Sequence, residues 1–159
     1  SMLTLHGRTR LGGFESPVEY GTIAQAVEAL NIPVVANGDI ADANRVQAVL
    51  SYTKADAVMI GRAALGHPWV FKTIKEVLRT GRPFDLSMKE KAQTVLKHQR
   101  WHMASYPEPV AVVTFRKHLL WYLTGWPDFE RVRAPLCQAD KASAQEALLT
   151  DYFHRQGWI

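Results

Sequence analysis

Three short, nearly unbroken apolar runs, each leading into a polar, glycine-bearing loop, constrain this chain more than any other feature. They are Leu3-Thr4-Leu5, Pro33-Val34-Val35-Ala36 and Ala57-Val58-Met59-Ile60. Runs of this length without polar alternation suit parallel strands buried on both faces. Taking Leu5, Val35 and Met59 as centres, the spacings are 30 and 24 residues, which suits repeated strand-helix units.

The segments between the runs carry helical periodicity. Ser16, Pro17 and Glu19 read as the opening of a first helix: an N-cap, a proline at the first helical position and an acid three residues after the cap. Ile23, Ala26, Val27 and Leu30 form its expected buried stripe. A second helix is expected from Asp42 with Val46, Val49 and Leu50 inward, and a third from about Pro68 with Val70, Phe71, Ile74, Val77 and Leu78, stopping at Gly81 in a left-handed cap.

After Gly81-Arg82-Pro83 the strand signals vanish. Ser87 and Glu90 form a capping box opening a helix with Ala92, Val95, Leu96 and Met103 on one face. Tyr106-Pro107-Glu108-Pro109 reads as a turn, and further helices are expected over about Val110 to Leu123, Phe129 to Gln138 and Lys141 to His154. In the last, Ala144, Ala147, Leu148, Asp151 and Tyr152 fall at helical spacing. Residues 1–82 therefore read as a parallel α/β region and residues 83–159 as an all-α helical bundle domain.

Composition narrows the class. A chain of 159 residues, 47% hydrophobic and 10% aromatic, can bury a core and holds one domain or two small ones. No apolar run approaches the roughly 18 residues of a membrane span, and no leader pattern opens the chain, so a cytoplasmic protein is expected. Its net charge of +4 permits an anionic partner without demanding one. The single cysteine, Cys137, excludes an internal disulfide and a thiolate metal cluster, and reads as a small buried hydrophobe.

The chemistry gathers where the strands end. They exit into His6-Gly7-Arg8-Thr9-Arg10, Asn37-Gly38-Asp39 and Gly61-Arg62-Ala63-Ala64. In parallel α/β structures the carboxyl ends of the strands carry the site. Singly, each motif is also an ordinary turn. Together, at one sheet edge, cations at two exits (His6, Arg8 and Arg62) and the carboxylate of Asp39 at the middle one point to a phosphorylated ligand with a polar ring or hydroxyl to hold.

In the helical region Arg116, Lys117 and His118 lie one turn ahead of Trp121 and Tyr122, mixing cations with stacking surfaces as RNA recognition does. Lys97, Arg100, Arg131 and Arg133 add charge. The alternative is that Trp121 and Tyr122 are core and the charges a solvated face. His98 and His102, four apart, have a metal-chelating spacing. No third ligand is evident, so they are read as solvent-exposed, like His67 and His154, and no metal site is expected.

Three stretches, His6-Gly7-Arg8-Thr9, Val34 to Ile40 and Asp56 to Ala64, together resemble the tRNA-dihydrouridine synthases, with the bacterial B-type group the nearest in pattern. The resemblance continues through Gly66 to Phe71 and Arg116 to Tyr122. It implies a flavoenzyme that reduces uridines of tRNA to dihydrouridine with FMN and NADPH. The implied fold is a (β/α)8 TIM barrel followed by a helical tRNA-binding domain. This chain would then supply about three βα units, the C-terminal part of the barrel, and the helical domain.

By that resemblance His6 contacts the flavin phosphate or ring edge, Asn37, Gly38 and Asp39 line the FMN site with Arg8 beside them, Gly61 and Arg62 hold its phosphate, and Arg116, Lys117, His118 and Trp121 meet tRNA. Phe14 and Glu15 either cover the flavin, reach RNA or are plain loop. A whole barrel takes about 250 residues. The family's proton-donating cysteine and a flavin-contacting lysine belong to barrel units outside the three seen here, and Cys137 in the helical region does not stand in for the cysteine. The expectation is a segment with no catalytic residue of its own, inactive alone, whose open sheet associates with itself. A non-catalytic RNA-binding module, or part of another FMN barrel oxidoreductase, is the alternative.

Overall fold

The computed structural model describes residues 1–13 and 15–159, so the expectation for Phe14 lies outside the described residues. The chain forms two compact units, Ser1–Ala64 with Val70–Phe84, and Leu65–Trp69 with Asp85–Ile159.

The first unit holds strands β1 (Leu3–His6), β2 (Val34–Asn37) and β3 (Ala57–Met59). All pair in parallel in the order β1-β2-β3. The register sets His6 opposite Asn37 and Asn37 opposite Met59, so the three carboxyl ends are level. Burial on both faces holds for β2, whose Val34, Val35 and Ala36 are all buried, and fails for the outer strands, where Met59 is 43% exposed. An outer strand has a neighbour on one side only, and its apolar residues remain partly uncovered.

Helices α1 (Gly21–Ala29), α2 (Ala43–Thr53) and α3 (Val70–Thr80) accompany the sheet. Asp42 caps α2 as expected, its carboxylate accepting from the Arg45 N–H at 2.8 Å. Gly81, at φ +68°, closes α3 in the left-handed conformation that a side chain resists. The start of α1 differs from expectation: residues 17–20 are not helical, and the helix begins at Gly21. There the Glu19 carboxylate accepts from the N–H groups of Gly21 and Thr22 and does the capping itself. Leu30 accordingly falls outside the helix, at its C-cap, and is exposed.

In α3, Val70, Ile74 and Val77 lie on one stripe at spacings of four and three. Phe71 and Leu78 come one position later, roughly 100° round the helix, and are 52% and 40% exposed, not buried as expected.

The second unit contains α4 (Met88–Ser105), α5 (Glu108–Leu123), α6 (Phe129–Gln138) and α7 (Ala142–Arg155). Ser87 and Glu90 make the reciprocal capping box. Phe115, Leu119, Leu136, Leu149, Tyr152 and Phe153 are fully buried in one core that also takes Trp69. The inward face of α7 is Gln145, Leu149, Tyr152 and Phe153; Ala144, Ala147 and Asp151 are exposed and Leu148 is half-buried. Large side chains claim the core, and Gln145 is tolerated there because its amide reaches the carbonyls of Val112 (3.5 Å) and Leu136 (3.4 Å) and accepts from Gln99 (3.4 Å). Cys137 in α6 is half-buried. Among the described residues no helix is long and apolar enough to cross a membrane.

Candidate functional site

The level strand ends of the first unit enclose a cavity of about 870 Å³, within the range of small-molecule sites. His6, Arg8, Asn37, Gly38, Asp39, Gly61 and Arg62, the seven residues singled out from the sequence, all line it.

Two polar chains organise its floor. His6 Nδ1 lies 2.7 Å from Asn37 Oδ1, and Asn37 Nδ2 donates to the Met59 carbonyl at 2.7 Å, so one asparagine ties all three strand ends. Bound this way His6 is the Nδ1–H tautomer, with Nε2 left as the acceptor. The second chain is ionic. Arg8 donates through both terminal nitrogens to Asp39, and Arg62 Nη2 donates to Asp39 Oδ1 at 3.0 Å. The Arg8 hydrogen bond, helped by the Arg62 charge, holds the Asp39 carboxyl below the usual carboxylate range, while Asp39 raises Arg8.

The backbone explains the glycines. Gly38 has φ +145° and Asp39 lies in the left-handed region at φ 43°. This turn brings the Asp39 carboxylate between two guanidinium groups. A Cβ on Gly7 would meet Val18 Cγ1 at 2.4 Å and the Glu19 carbonyl at 2.9 Å, so glycine is needed there for internal packing. Gly61 is the opposite case: a Cβ would meet nothing within 4 Å.

The segment Ser16–Tyr20, expected from its letters to open a helix, instead braces the loops that line the cavity. It runs along the strand ends: the Glu19 N–H donates to the Gly7 carbonyl at 2.7 Å, Arg8 Nε donates to the Ser16 carbonyl, and the Tyr20 hydroxyl donates to the Gly38 carbonyl.

In the second unit the residues read as an RNA surface separate into two groups. Lys117 is exposed, its Nζ 5.8 Å from the centre of the Trp121 ring, and Trp121 is 41% exposed. Arg116, by contrast, is half-buried and donates to the Ala139 carbonyl at the C-cap of α6 (3.0 Å), a helix-capping role. Tyr122 is core, and burial pushes its hydroxyl up to about 12. His98, His102 and His67 are half-buried, not exposed as expected, and His118 joins the first two.

Residues 1–156 match the family model described as Dihydrouridine synthase (Dus). The chain belongs to the dihydrouridine synthase family. It is 45% identical over 152 residues to a tRNA-dihydrouridine synthase B of Xanthomonas axonopodis pv. citri, covering 95% of this chain and 46% of the relative. Identity is 44% over 154 residues to the protein of the same name from Xanthomonas campestris pv. campestris, with 95% and 46% covered, and 39% over 152 residues to that of Serratia marcescens, again with 95% and 46% covered. This dihydrouridine synthase family chain thus spans about half the length of the curated relatives it matches. The match sets aside membership of another FMN oxidoreductase family. It extends through the helical unit, so both units belong to the family's pattern.

Proposed function

We propose that the strand-end cavity holds FMN and that the chain contributes the phosphate-binding part of a tRNA-dihydrouridine synthase, the activity its relatives' names give. The observation that carries this reading is Gly61: nothing inside the chain requires a glycine there, yet it stands at a strand end beside Arg62, where a bound phosphate would need close access to the backbone. The Arg8–Asp39–Arg62 chain supports it. Asp39 holds the Arg62 guanidinium at the cavity, beside Gly61.

In this reading Gly61 and Arg62 hold the phosphate, while Gly38 and Asp39 line the cofactor's polar chain. Asn37 and His6 stand at its ring, His6 offering Nε2 as an acceptor. When bound, FMN would supply hydride chemistry for the reduction of a uridine of tRNA, with NADPH as its reductant. The chain's own cavity offers no thiol to deliver the accompanying proton, since Cys137 lies in α6 of the other unit. These 159 residues by themselves therefore bind without turning over, and the half-open sheet associates with other copies through β1 or β3.

The second unit is the tRNA-binding part, with Lys117 and Trp121 as its exposed cation and stacking surface; Arg116 and His118 act behind them, through the fold. A flavin-free RNA-binding module is the second reading, favoured by the exposed Lys117–Trp121 pair. Flavin titration separates the two. Saturable FMN binding that Arg62→Ala weakens at least tenfold supports the first, and absence of FMN binding with tRNA binding retained supports the second.

A further inference from the structure

Helices α4 and α5 bring three imidazoles together inside the second unit. His98 and His102 come from successive turns of α4, and His118 comes from α5. Each places one ring nitrogen so that the three lie within 4.8 Å of one another, and all three side chains are half-buried. We propose that His98, His102 and His118 form a binding site for a divalent transition metal of the zinc class, with a fourth position open to water.

The geometry is close to what such an ion needs. Imidazole nitrogens at 2.0–2.1 Å from zinc in a tetrahedron are about 3.3 Å apart. The three ring nitrogens, within 4.8 Å of one another, are already gathered on the scale such a site needs. One nitrogen of two of the rings is already turned to a hydroxyl. His98 Nδ1 lies 3.0 Å from the Tyr122 hydroxyl, and His102 Nε2 lies 2.8 Å from Thr114 Oγ1. Thr114 itself donates to the Val110 carbonyl at 2.7 Å, so towards His102 it accepts. Thr114 thereby leaves His102 Nδ1 its lone pair, and in the proposed site the Tyr122 hydroxyl accepts from His98 Nδ1–H, leaving Nε2 to ligate.

The surroundings add two further arguments. Phe115 lies against all three rings, at centroid distances of 5.2 Å (His98), 5.3 Å (His102) and 5.5 Å (His118), giving the site a rigid apolar floor. The absence of a carboxylate from the trio selects imidazole-preferring ions over magnesium or calcium. The site would clamp α4 to α5 directly beneath Trp121, whose ring lies 5.2 Å from that of His118. It is independent of the flavin reading, because none of its residues lines the strand-end cavity.

Calorimetric titration of the metal-stripped chain with Zn²⁺, paired with Co²⁺ absorption spectra, tests the proposal. One equivalent of Zn²⁺ is expected, and Co²⁺ should give the intense visible bands of a four-coordinate site. His118→Gln and, separately, His102→Gln should each weaken Zn²⁺ binding by about 100-fold or more, with helical circular dichroism unchanged. Cys137→Ser should leave the affinity as it was. Zn²⁺ binding that is absent, that survives both histidine variants, or that gives only the weak spectrum of six-coordinate Co²⁺ overturns the proposal.

Discussion

The two units of this chain display their chemistry in opposite ways. In the first, the seven candidate residues stand at the ends of three level strands, all but Gly38 at least partly exposed, with a glycine whose presence internal packing does not explain. In the second, the notable polar groups are drawn inward: Arg116 caps α6, Gln145 bonds to three neighbours in the core, and three histidines pack around Phe115. The contrast teaches that a parallel sheet shows its site along the sequence, at each strand exit. A helical bundle assembles one from residues whose proximity only the packing decides.

The largest effect expected from breaking this contrast is on the bundle core. Phe153 is fully buried against Tyr152, Trp126 and Trp158, and Phe153→Ala should cost about 3–5 kcal/mol. Urea unfolding followed by far-ultraviolet circular dichroism measures it, and a loss below about 1 kcal/mol would mean that the second unit does not depend on this core.

The glycines sharpen the comparison within the first unit. Gly7→Ala should destabilise by about 1–3 kcal/mol, because its Cβ meets Val18 and the Glu19 carbonyl. Gly61→Ala should leave the melting temperature nearly unchanged while weakening FMN binding by tenfold or more. Equal melting losses in the two variants would remove the case for a ligand at Gly61.

Self-association is the next effect in size. The outer strands carry exposed apolar surface such as Met59, so sedimentation velocity should show a mass that rises with concentration. A monomer at every concentration contradicts that expectation.

The smallest effect concerns pH. Arg8, and then Arg62, hold the Asp39 carboxyl below its ordinary range. Its stabilising contribution is therefore complete above about pH 4 and fades as pH falls through the lowered folded value. Asp39→Asn should flatten the acid limb of the stability curve only slightly, since the pair is partly exposed. A variant whose acid limb matches the parent's assigns the slope to other carboxylates.

Legibility followed the same division. The strands, the Asp42 cap, the Ser87–Glu90 box and Gly81 could be read from the chain because each is a local signal obeyed locally. The extended segment Ser16–Tyr20 could not, because its backbone and the Tyr20 hydroxyl are committed to Gly7, Arg8 and Gly38 in three dimensions. Phe71 and Leu78 misled because apolar character says nothing of which side of α3 is covered. The third histidine was invisible for a related reason. His118 is 16 residues from His102 in sequence, and only the antiparallel return of α5 along α4 brings it near.

The most direct test of phosphate-anchored flavin binding at the strand ends is a fluorescence titration of FMN with this chain and its Arg62→Ala variant. Saturable one-to-one quenching is expected with the parent and at least tenfold weaker binding with the variant, a loss of about 1.4 kcal/mol or more. Absence of saturable quenching, or equal affinity for parent and variant, would contradict phosphate-anchored binding.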